Sequence, residues 1–154
     1  MRLTLHTDFA LRLLMLLAVE PDGLHTIAEV AQRYAISRNH LVKVAQTLIQ
    51  AGIVESVRGR RGGLRLAHRP ADINLGAVVR ATEDSFNLVE CFDRTTCTCV
   101  VRPVCGLRRP LGQAATAFLF ALDGYTLADV VQNSGRVTRM RRLLDGGTAS
   151  APRA

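Results

Sequence analysis

The sequence predicts a mainly α-helical protein, a winged helix-turn-helix with a small β-hairpin wing and a long C-terminal dimerisation helix. Three observations predict this class. Two short amphipathic helical segments are joined by a tight turn, two short strand-like segments with a basic, glycine-rich connection follow them, and a long apolar helical segment comes late in the chain. The 154 residues, 48% of them hydrophobic, suffice for one domain with an appendage.

The first three predicted helices build the helix-turn-helix. Residues 8–18 are apolar around most of a helix circumference, which predicts a largely buried helix. Residues 26–29 have the pattern of a capping box and begin a second helix that ends near Tyr34. Ser37 is a good N-cap for a third helix, which stops at residues 51–52.

A hairpin and a fourth helix follow. Residues 53–57 and 64–68 have the pattern of short strands, joined by the basic segment 58–63, in the position where a winged helix carries its wing. Asn74 can cap a helix that runs through about Glu83.

The later part of the chain is predicted to hold a loop and a dimerisation helix. The apolar helix from about 107 to 122, with Pro110 in its first turn, has more apolar surface than one small domain covers, which predicts a homodimer. Thr126 begins one more short helix. The predicted units are a winged helix-turn-helix DNA-binding domain at 1–84, a cysteine-rich loop without periodicity at 85–106, the dimerisation helix and short terminal helix at 107–133, and a disordered tail at 134–154.

The charge balance points to an anionic partner. The chain carries 20 Lys and Arg against 13 Asp and Glu, a formal net charge of +7, and Lys43 is the only lysine among the 20. The planar guanidinium suits phosphate and base-edge recognition better than an ammonium does. A nucleic-acid partner is therefore the leading hypothesis.

The apolar stretches are short. The longest, 13–19, falls well below the roughly 20 residues that a membrane-spanning helix needs. No basic segment with a cleavage site precedes it. We therefore expect a soluble, cytoplasmic protein with no membrane partner.

The start of the third helix carries polar and basic side chains where a recognition helix presents them to base edges in the major groove. Arg38 can bind guanine and Asn39 adenine, whereas Lys43, one turn on, suits a phosphate. A merely solvated helix face would show similar charges, but the basic hairpin gives independent support. The predicted contacts of this helix are Ser37, Arg38, Asn39, His40 and Lys43.

The hairpin adds a second basic group. Between positions 58 and 69 it holds five arginines and no acidic residue, namely Arg58, Arg60, Arg61, Arg65 and Arg69. The glycines of its tip allow a tight turn that brings the backbone close to a minor-groove wall, where arginine is favoured. The predicted contacts of the wing with double-stranded DNA are Arg58, Arg60, Arg61, Gly62 and Gly63.

All four cysteines lie within 15 residues, at Cys91, Cys97, Cys99 and Cys105. This layout favours metal binding over a disulfide scaffold. The spacing differs from that of a zinc ribbon, and wide spacing on a loop without its own core favours an iron–sulfur cluster over a structural zinc ion. A thiol oxidoreductase using Cys97 and Cys99 lacks both a thioredoxin-like pattern and a nearby helix start, so an enzyme is not expected.

Taken together, these motifs resemble the Rrf family of winged-helix regulators and, within it, the nitric-oxide-sensing repressors. The resemblance covers about residues 1–132 and lies in LTLHTDFALR (3–12), ISRNHLVK (36–43), VRGRRGGLRL (57–66), PVC (103–105) and YTLAD (125–129). It implies a homodimer that binds a palindromic operator and carries a cluster, commonly 4Fe-4S with 2Fe-2S as the alternative, on three cysteines of the loop.

The resemblance also implies a ligand set. Cys91 and Cys105 match the outer pair, and Cys99 is preferred to Cys97 as the middle ligand because it keeps a five-residue interval to Cys105. The implied fourth ligand is Asp8 of the partner subunit. A hard carboxylate on iron is the labile position that nitric oxide would attack first. The alternative role for Asp8 is a simple N-cap of the first helix.

The function that the resemblance implies is repression of transcription by the cluster-loaded dimer, with release of the operator on nitrosylation. Arginines near the proposed ligands could offset the negative charge of the cluster, namely Arg12, Arg94, Arg102, Arg108 and Arg109. The alternative is a family member that senses iron–sulfur supply or redox state. The regulator of cluster assembly uses a loop histidine, and residues 85–110 contain none.

Overall fold

The structure is a computed structural model that describes residues 2–131 and 133–146. Its elements in chain order are α1 (Leu5–Val19), α2 (Ile27–Tyr34), α3 (Arg38–Gln50), β1 (Val54–Val57), β2 (Gly63–Leu66), α4 (Leu75–Thr82), α5 (Arg108–Asp123), α6 (Leu127–Val131) and α7 (Ser134–Asp145). Single 3-10 turns lie at Pro70–Asp72 and Glu90–Phe92. The predicted mainly helical winged helix-turn-helix is confirmed.

Helix α1 lies at the centre of the core. It packs against α3, α4, α6, α7 and β2, and a helix that meets partners on most sides is apolar on most sides. Its fully buried side chains include Leu13, Leu14, Leu16 and Leu17. In the described part of the chain no helix is long and apolar enough to cross a membrane.

The start of α1 differs from the prediction. Thr4 is its N-cap, and the Thr4 side chain accepts a hydrogen bond from the Thr7 amide. Helix α1 therefore begins three residues earlier than predicted, and Asp8 lies inside its first turn. The N-cap role for Asp8 was the wrong alternative, because Thr4 already occupies that position.

The helix-turn-helix forms as predicted. Thr26 and Glu29 make the reciprocal capping box of α2, with the Thr26 amide 2.7 Å from the Glu29 carboxylate. Ala35 ends α2 in the left-handed conformation with φ 53°, which turns the chain towards α3. Ser37 occupies the N-cap position of α3, but its side chain makes no capping hydrogen bond.

The wing is anchored to the loop between α1 and α2. Strands β1 and β2 are antiparallel, and β2 also pairs with His25, whose amide lies 3.1 Å from the Leu64 oxygen. A Cβ at Gly62 would lie 2.2 Å from the Val57 oxygen, and one at Gly63 would lie 2.9 Å from the His25 nitrogen. Both glycines are therefore required for the wing to close, whatever they contact.

The C-terminal end of helix α5 is joined to α4 and to the residue that caps it. The Arg80 guanidinium binds the Asp123 carboxylate through two hydrogen bonds of 2.5 and 2.7 Å. The Asn74 side-chain amide donates to the backbone oxygen of Asp123 at 2.7 Å. A Cβ at Gly76 would lie 1.9 Å from the Asp123 carboxylate. A side chain at position 76 would therefore displace the Asp123 carboxylate and disturb its ion pair with Arg80.

Helix α7 corrects the prediction of a disordered tail at 134–154, of which residues 147–154 lie outside the described residues. Leu144 is buried in the core, and Val137 and Met140 pack against it. Arg33 joins α7 to the rest of the fold, because its guanidinium binds both Glu20 and Asp145. Residues 134–145 can therefore form a helix on the core, because the apolar face of α7 packs against it and the arginines lie on the other faces.

Candidate DNA interface and cysteine loop

The predicted recognition helix presents one polar face. The side chains of Ser37, Arg38, Asn39, His40 and Lys43 are all exposed. Leu41, Val44 and Leu48 on the opposite face are fully buried and fix the rotation of α3 about its axis. The chain thus holds a row of hydrogen-bonding groups in a fixed orientation, as base and phosphate contacts need.

Two contacts from α1 support this helix, and neither is predicted by a local sequence pattern. The Phe9 ring lies beside the His40 ring with centroids 6.0 Å apart. The His6 Nε2 lies 3.0 Å from the Thr47 hydroxyl oxygen. The N-terminal part of α1 therefore contacts α3 at two points along the length of α3.

The wing carries fewer free charges than the sequence suggested. Arg65 pairs with Glu55 directly across the hairpin, and Arg69 pairs with Asp72 at 2.8 Å, so these two guanidiniums are compensated. Arg58, Arg60 and Arg61 are exposed and make no ion pair with any residue that the structure describes. The description of five uncompensated arginines is therefore corrected to three, all at the tip.

The cysteine loop has no core of its own. None of residues 85–106 is buried, and the only helical element is one 3-10 turn. All four cysteines are free thiols and half-buried, at Cys91, Cys97, Cys99 and Cys105. Within the loop the contacts are local hydrogen bonds, such as those of Thr95 with Asp93 and of the Arg102 amide with the Cys99 oxygen.

The predicted metal ligands are not brought together in the single chain. Within residues 2–131 and 133–146 no three His, Cys, Asp or Glu side chains form a group that could hold a metal ion. Asp8 is bound by Arg12 one turn along α1, with the Nη2 to Oδ2 distance at 2.7 Å and the Nε to Oδ1 distance at 3.2 Å. Both side chains of this pair are about 40% exposed, so the carboxylate is open to the outside.

The chemistry of the loop fits an iron–sulfur cluster. Its four thiols are soft donors of the kind that iron–sulfur clusters take. Arg102 lies between Cys99 and Cys105, and its Nε is the only buried side-chain nitrogen or oxygen atom of the described residues that has no hydrogen-bond partner. A buried guanidinium nitrogen without an acceptor is costly, and an anionic group at this place would satisfy it.

Glu83 joins the end of α4 to the start of α1. Its Oε1 accepts hydrogen bonds from the Thr4 amide at 2.7 Å and from the Thr4 hydroxyl at 3.0 Å. Burial alone would raise the pKa of the Glu83 carboxyl, but hydrogen bonds from Thr7 and Thr4 outweigh burial and hold that pKa below its usual value. Glu83 is therefore a charged clamp on the first turn of α1.

Helix α5 has no buried residue. Phe120 is 77% exposed on it, and Leu107 just before it is 66% exposed. An apolar helix left open in this way marks a surface that another molecule covers. The homodimer stays a prediction, and this exposed surface is the place where we expect its interface.

Comparisons with known proteins fit these features. Residues 3–133 match the Rrf2 family, described as "Iron-dependent Transcriptional regulator". The HTH-type transcriptional regulator NsrR of Bacillus subtilis (strain 168) is 50% identical over 144 residues, which cover 93% of this chain and 99% of that protein. The NsrR of Halalkalibacterium halodurans is 47% identical with the same coverage. These relatives are named as regulators, as expected of a protein that is not an enzyme.

A solved structure with the same fold is CymR, the global cysteine regulator of B. subtilis. It is 25% identical, superimposes with a TM-score of 0.69, and the match covers 86% of this chain and 97% of CymR.

Proposed function

Because the chain belongs to the Rrf2 family of transcriptional regulators, we propose that it is a homodimeric repressor whose operator binding depends on an iron–sulfur cluster and is released by nitric oxide. The observation that carries the proposal is the pairing of two features in one chain. A recognition helix and a wing tip of three free arginines face outwards, and a coreless loop with four free thiols leads directly into α5.

The DNA contacts follow from the exposed polar face. In this proposal Arg38 and Asn39 bind base edges in the major groove and Lys43 neutralises a phosphate, which their exposure on α3 supports. Arg60 and Arg61 at the wing tip enter the adjacent minor groove or bind its phosphates. Two copies related by a twofold axis contact half-sites about 34 Å apart, or a multiple of that, on a palindromic operator.

The proposed ligands are Cys91, Cys99 and Cys105, with Asp8 of the partner subunit as the fourth. Cys97 is the alternative to Cys99, and the proposed cluster is 4Fe-4S, with 2Fe-2S as the alternative. When bound, the cluster supplies iron that reacts with nitric oxide. For Asp8 to serve as a ligand, its carboxylate must leave Arg12, and the exposure of that ion pair makes the exchange inexpensive.

The chain's own connections can convert a change in the loop into a change in DNA binding. The loop ends two residues before α5 begins, and the far end of α5 is held against α4 by the Arg80 and Asp123 pair. A shift of α5 therefore moves the winged helix of each protomer as a body. This changes the separation of the two recognition helices, and no distortion of α3 is needed.

The first test is the colour and composition of the protein purified without oxygen. A brown protein that shows the visible absorbance of an iron–sulfur cluster and contains equal amounts of iron and sulfide supports the proposal. A colourless protein that contains zinc would contradict it. A brown protein whose operator binding responds to iron supply, and not to nitric oxide, would favour the alternative within the family.

A further inference from the structure

The first turn of α1 contacts the recognition helix on one side and the start of the cysteine-bearing segment on the other. Towards α3, His6 lies against Thr47. Towards the loop, Thr4 binds Glu83 through both its amide and its hydroxyl. Residues 4 and 83 lie 79 positions apart, so this contact ties two distant parts of the chain together.

Glu83 is itself held at a defined place. It directly follows α4, and the last residue of that helix, Thr82, is buried with its hydroxyl donating to the Val78 oxygen at 3.0 Å. The chain leaves Glu83 for residues 85–106, none of which is buried. Glu83 is thus the last residue with fixed contacts to the core before the loop.

On the premise of the proposed cluster-dependent function, we propose that Glu83 is a positioning residue that couples the state of the cysteine loop to the recognition helix by clamping the first turn of α1 through Thr4. The first amides of a helix have no partners within it, so this turn depends on its cap. The Glu83 carboxylate accepts from the Thr4 amide, and without it that amide loses its acceptor, while the Thr4 oxygens still accept from the amides of Thr7 and Asp8.

The clamp has a mechanical consequence for both functional surfaces. The same turn carries Asp8 and supports α3 through His6 and, just beyond, through Phe9. When the loop changes, a displaced Glu83 pulls on Thr4 and shifts these side chains together. When the contact between Glu83 and Thr4 is removed, the loop can change conformation without moving α3. The state of the cluster then no longer affects operator affinity, although the protein still binds both the cluster and the operator.

The test compares operator affinity of the cluster-loaded and cluster-free forms, using a duplex selected from random sequences by the loaded wild-type protein. Glu83→Gln is expected to lower the ratio of the two dissociation constants about tenfold, with the absorbance spectrum and the iron and sulfide content unchanged. The matched control is Glu29→Gln, which removes the capping carboxylate of α2 and should leave the ratio unchanged.

A double-mutant cycle shows whether Glu83 acts through Thr4. Thr4→Val is also expected to lower the ratio of the two operator dissociation constants. The variant with both Thr4→Val and Glu83→Gln is expected to show no larger effect than Glu83→Gln alone. Thr4→Ser keeps both hydrogen-bonding groups and restores the wild-type ratio. Additive effects of the two substitutions would overturn the inference.

Hydrogen exchange in the cluster-free protein gives a readout that does not need the cluster. Glu83→Gln is expected to speed exchange of the amides at 5–9 and also at 38–43, whereas faster exchange at 5–9 alone overturns the inference. Loss of the cluster in Glu83→Gln would also overturn it, because Glu83 would then act on cluster retention. A wild-type affinity ratio of one would contradict the proposed function instead.

Discussion

Residues 5–83 and residues 85–123 differ in how much apolar surface they bury. The first region supplies most of the core, with Leu13, Val44 and Val78 among its fully buried side chains. The second region has no buried residue at all, yet it exposes Val100, Val104 and Phe120 almost completely. The first region buries its apolar side chains within one chain, whereas the exposed apolar side chains of the second region are typical of a surface that other molecules cover.

This difference separates two kinds of residue. In residues 5–83 we expect most substitutions to act on folding or on DNA contact, with the proposed ligand Asp8 and the proposed coupling residue Glu83 as exceptions. In residues 85–123 we expect most substitutions to act on the proposed cluster or the proposed dimer, with Asp123, which pairs with Arg80, as the exception. The predictions below test that division, starting with the largest expected effect.

Replacing a ligand in the loop removes the cluster without unfolding the protein. Cys99→Ala is expected to abolish the visible absorbance, the bound iron and the bound sulfide, because one of three thiolate ligands is lost. The circular dichroism spectrum stays unchanged, since no side chain of the loop is part of the core. Cys97→Ala is the matched control and retains the cluster. Equal loss in both variants would contradict the choice of Cys99.

Placing a charge on α5 breaks the dimer. Phe120→Asp puts a carboxylate on the exposed apolar surface that the proposed dimer would cover, which is expected to cost about 3 kcal/mol and to weaken dimerisation more than a hundredfold. Sedimentation velocity measures the change. Gln113→Asp introduces the same charge at an exposed polar position of the same helix and is expected to have a much smaller effect. Equal dissociation in both would remove Phe120 from the interface.

Helix α7 belongs with the first region, and a pair of neighbouring leucines tests this. Leu144→Ala removes a buried side chain and is expected to lower the free energy of unfolding by about 2–5 kcal/mol. Leu143→Ala removes an exposed one and should change it by less than about 0.5 kcal/mol. Urea denaturation separates the two. Similar small effects would restore the prediction of a disordered tail.

The smallest effect distinguishes free from paired arginines in the wing. Arg60→Ala is expected to weaken operator binding by about 1 kcal/mol and to reduce by about one the slope of log affinity against log salt concentration. Arg65→Ala should have less effect, because Glu55 already compensates Arg65. Fluorescence anisotropy at several salt concentrations measures both. An equal change in slope would show that the ion pair opens on DNA.

The sequence predicted most of the first region because its signals are local. Periodic apolar positions and the capping box of α2 lie within one or two turns of each other, and so does the row of polar residues at the start of α3. The apolar pattern of residues 8–18 does not show the true start of α1, because the N-cap Thr4 lies before that pattern begins. Helix α7 was missed because four arginines obscured Val137, Met140 and Leu144, which have helical spacing.

Long-range pairings could not be predicted in the same way. The Glu83 clamp on Thr4 and the Asp123 pair with Arg80 join residues far apart in sequence. Glu55 and Arg65 pair across the hairpin from ten positions apart, and the local charge balance of residues 58–69 does not predict that contact. The cysteine ligands stay a prediction, because their assignment depends on spacing and resemblance.

Operator binding measured by gel mobility shift without oxygen, before and after addition of nitric oxide, tests the central claim most directly. The reconstituted protein is expected to retard a duplex carrying the selected palindrome, and nitric oxide in stoichiometric amount over the cluster should abolish the shift. A duplex with scrambled half-sites is the control. Undiminished binding after the cluster has reacted, as followed by its absorbance, would contradict the account.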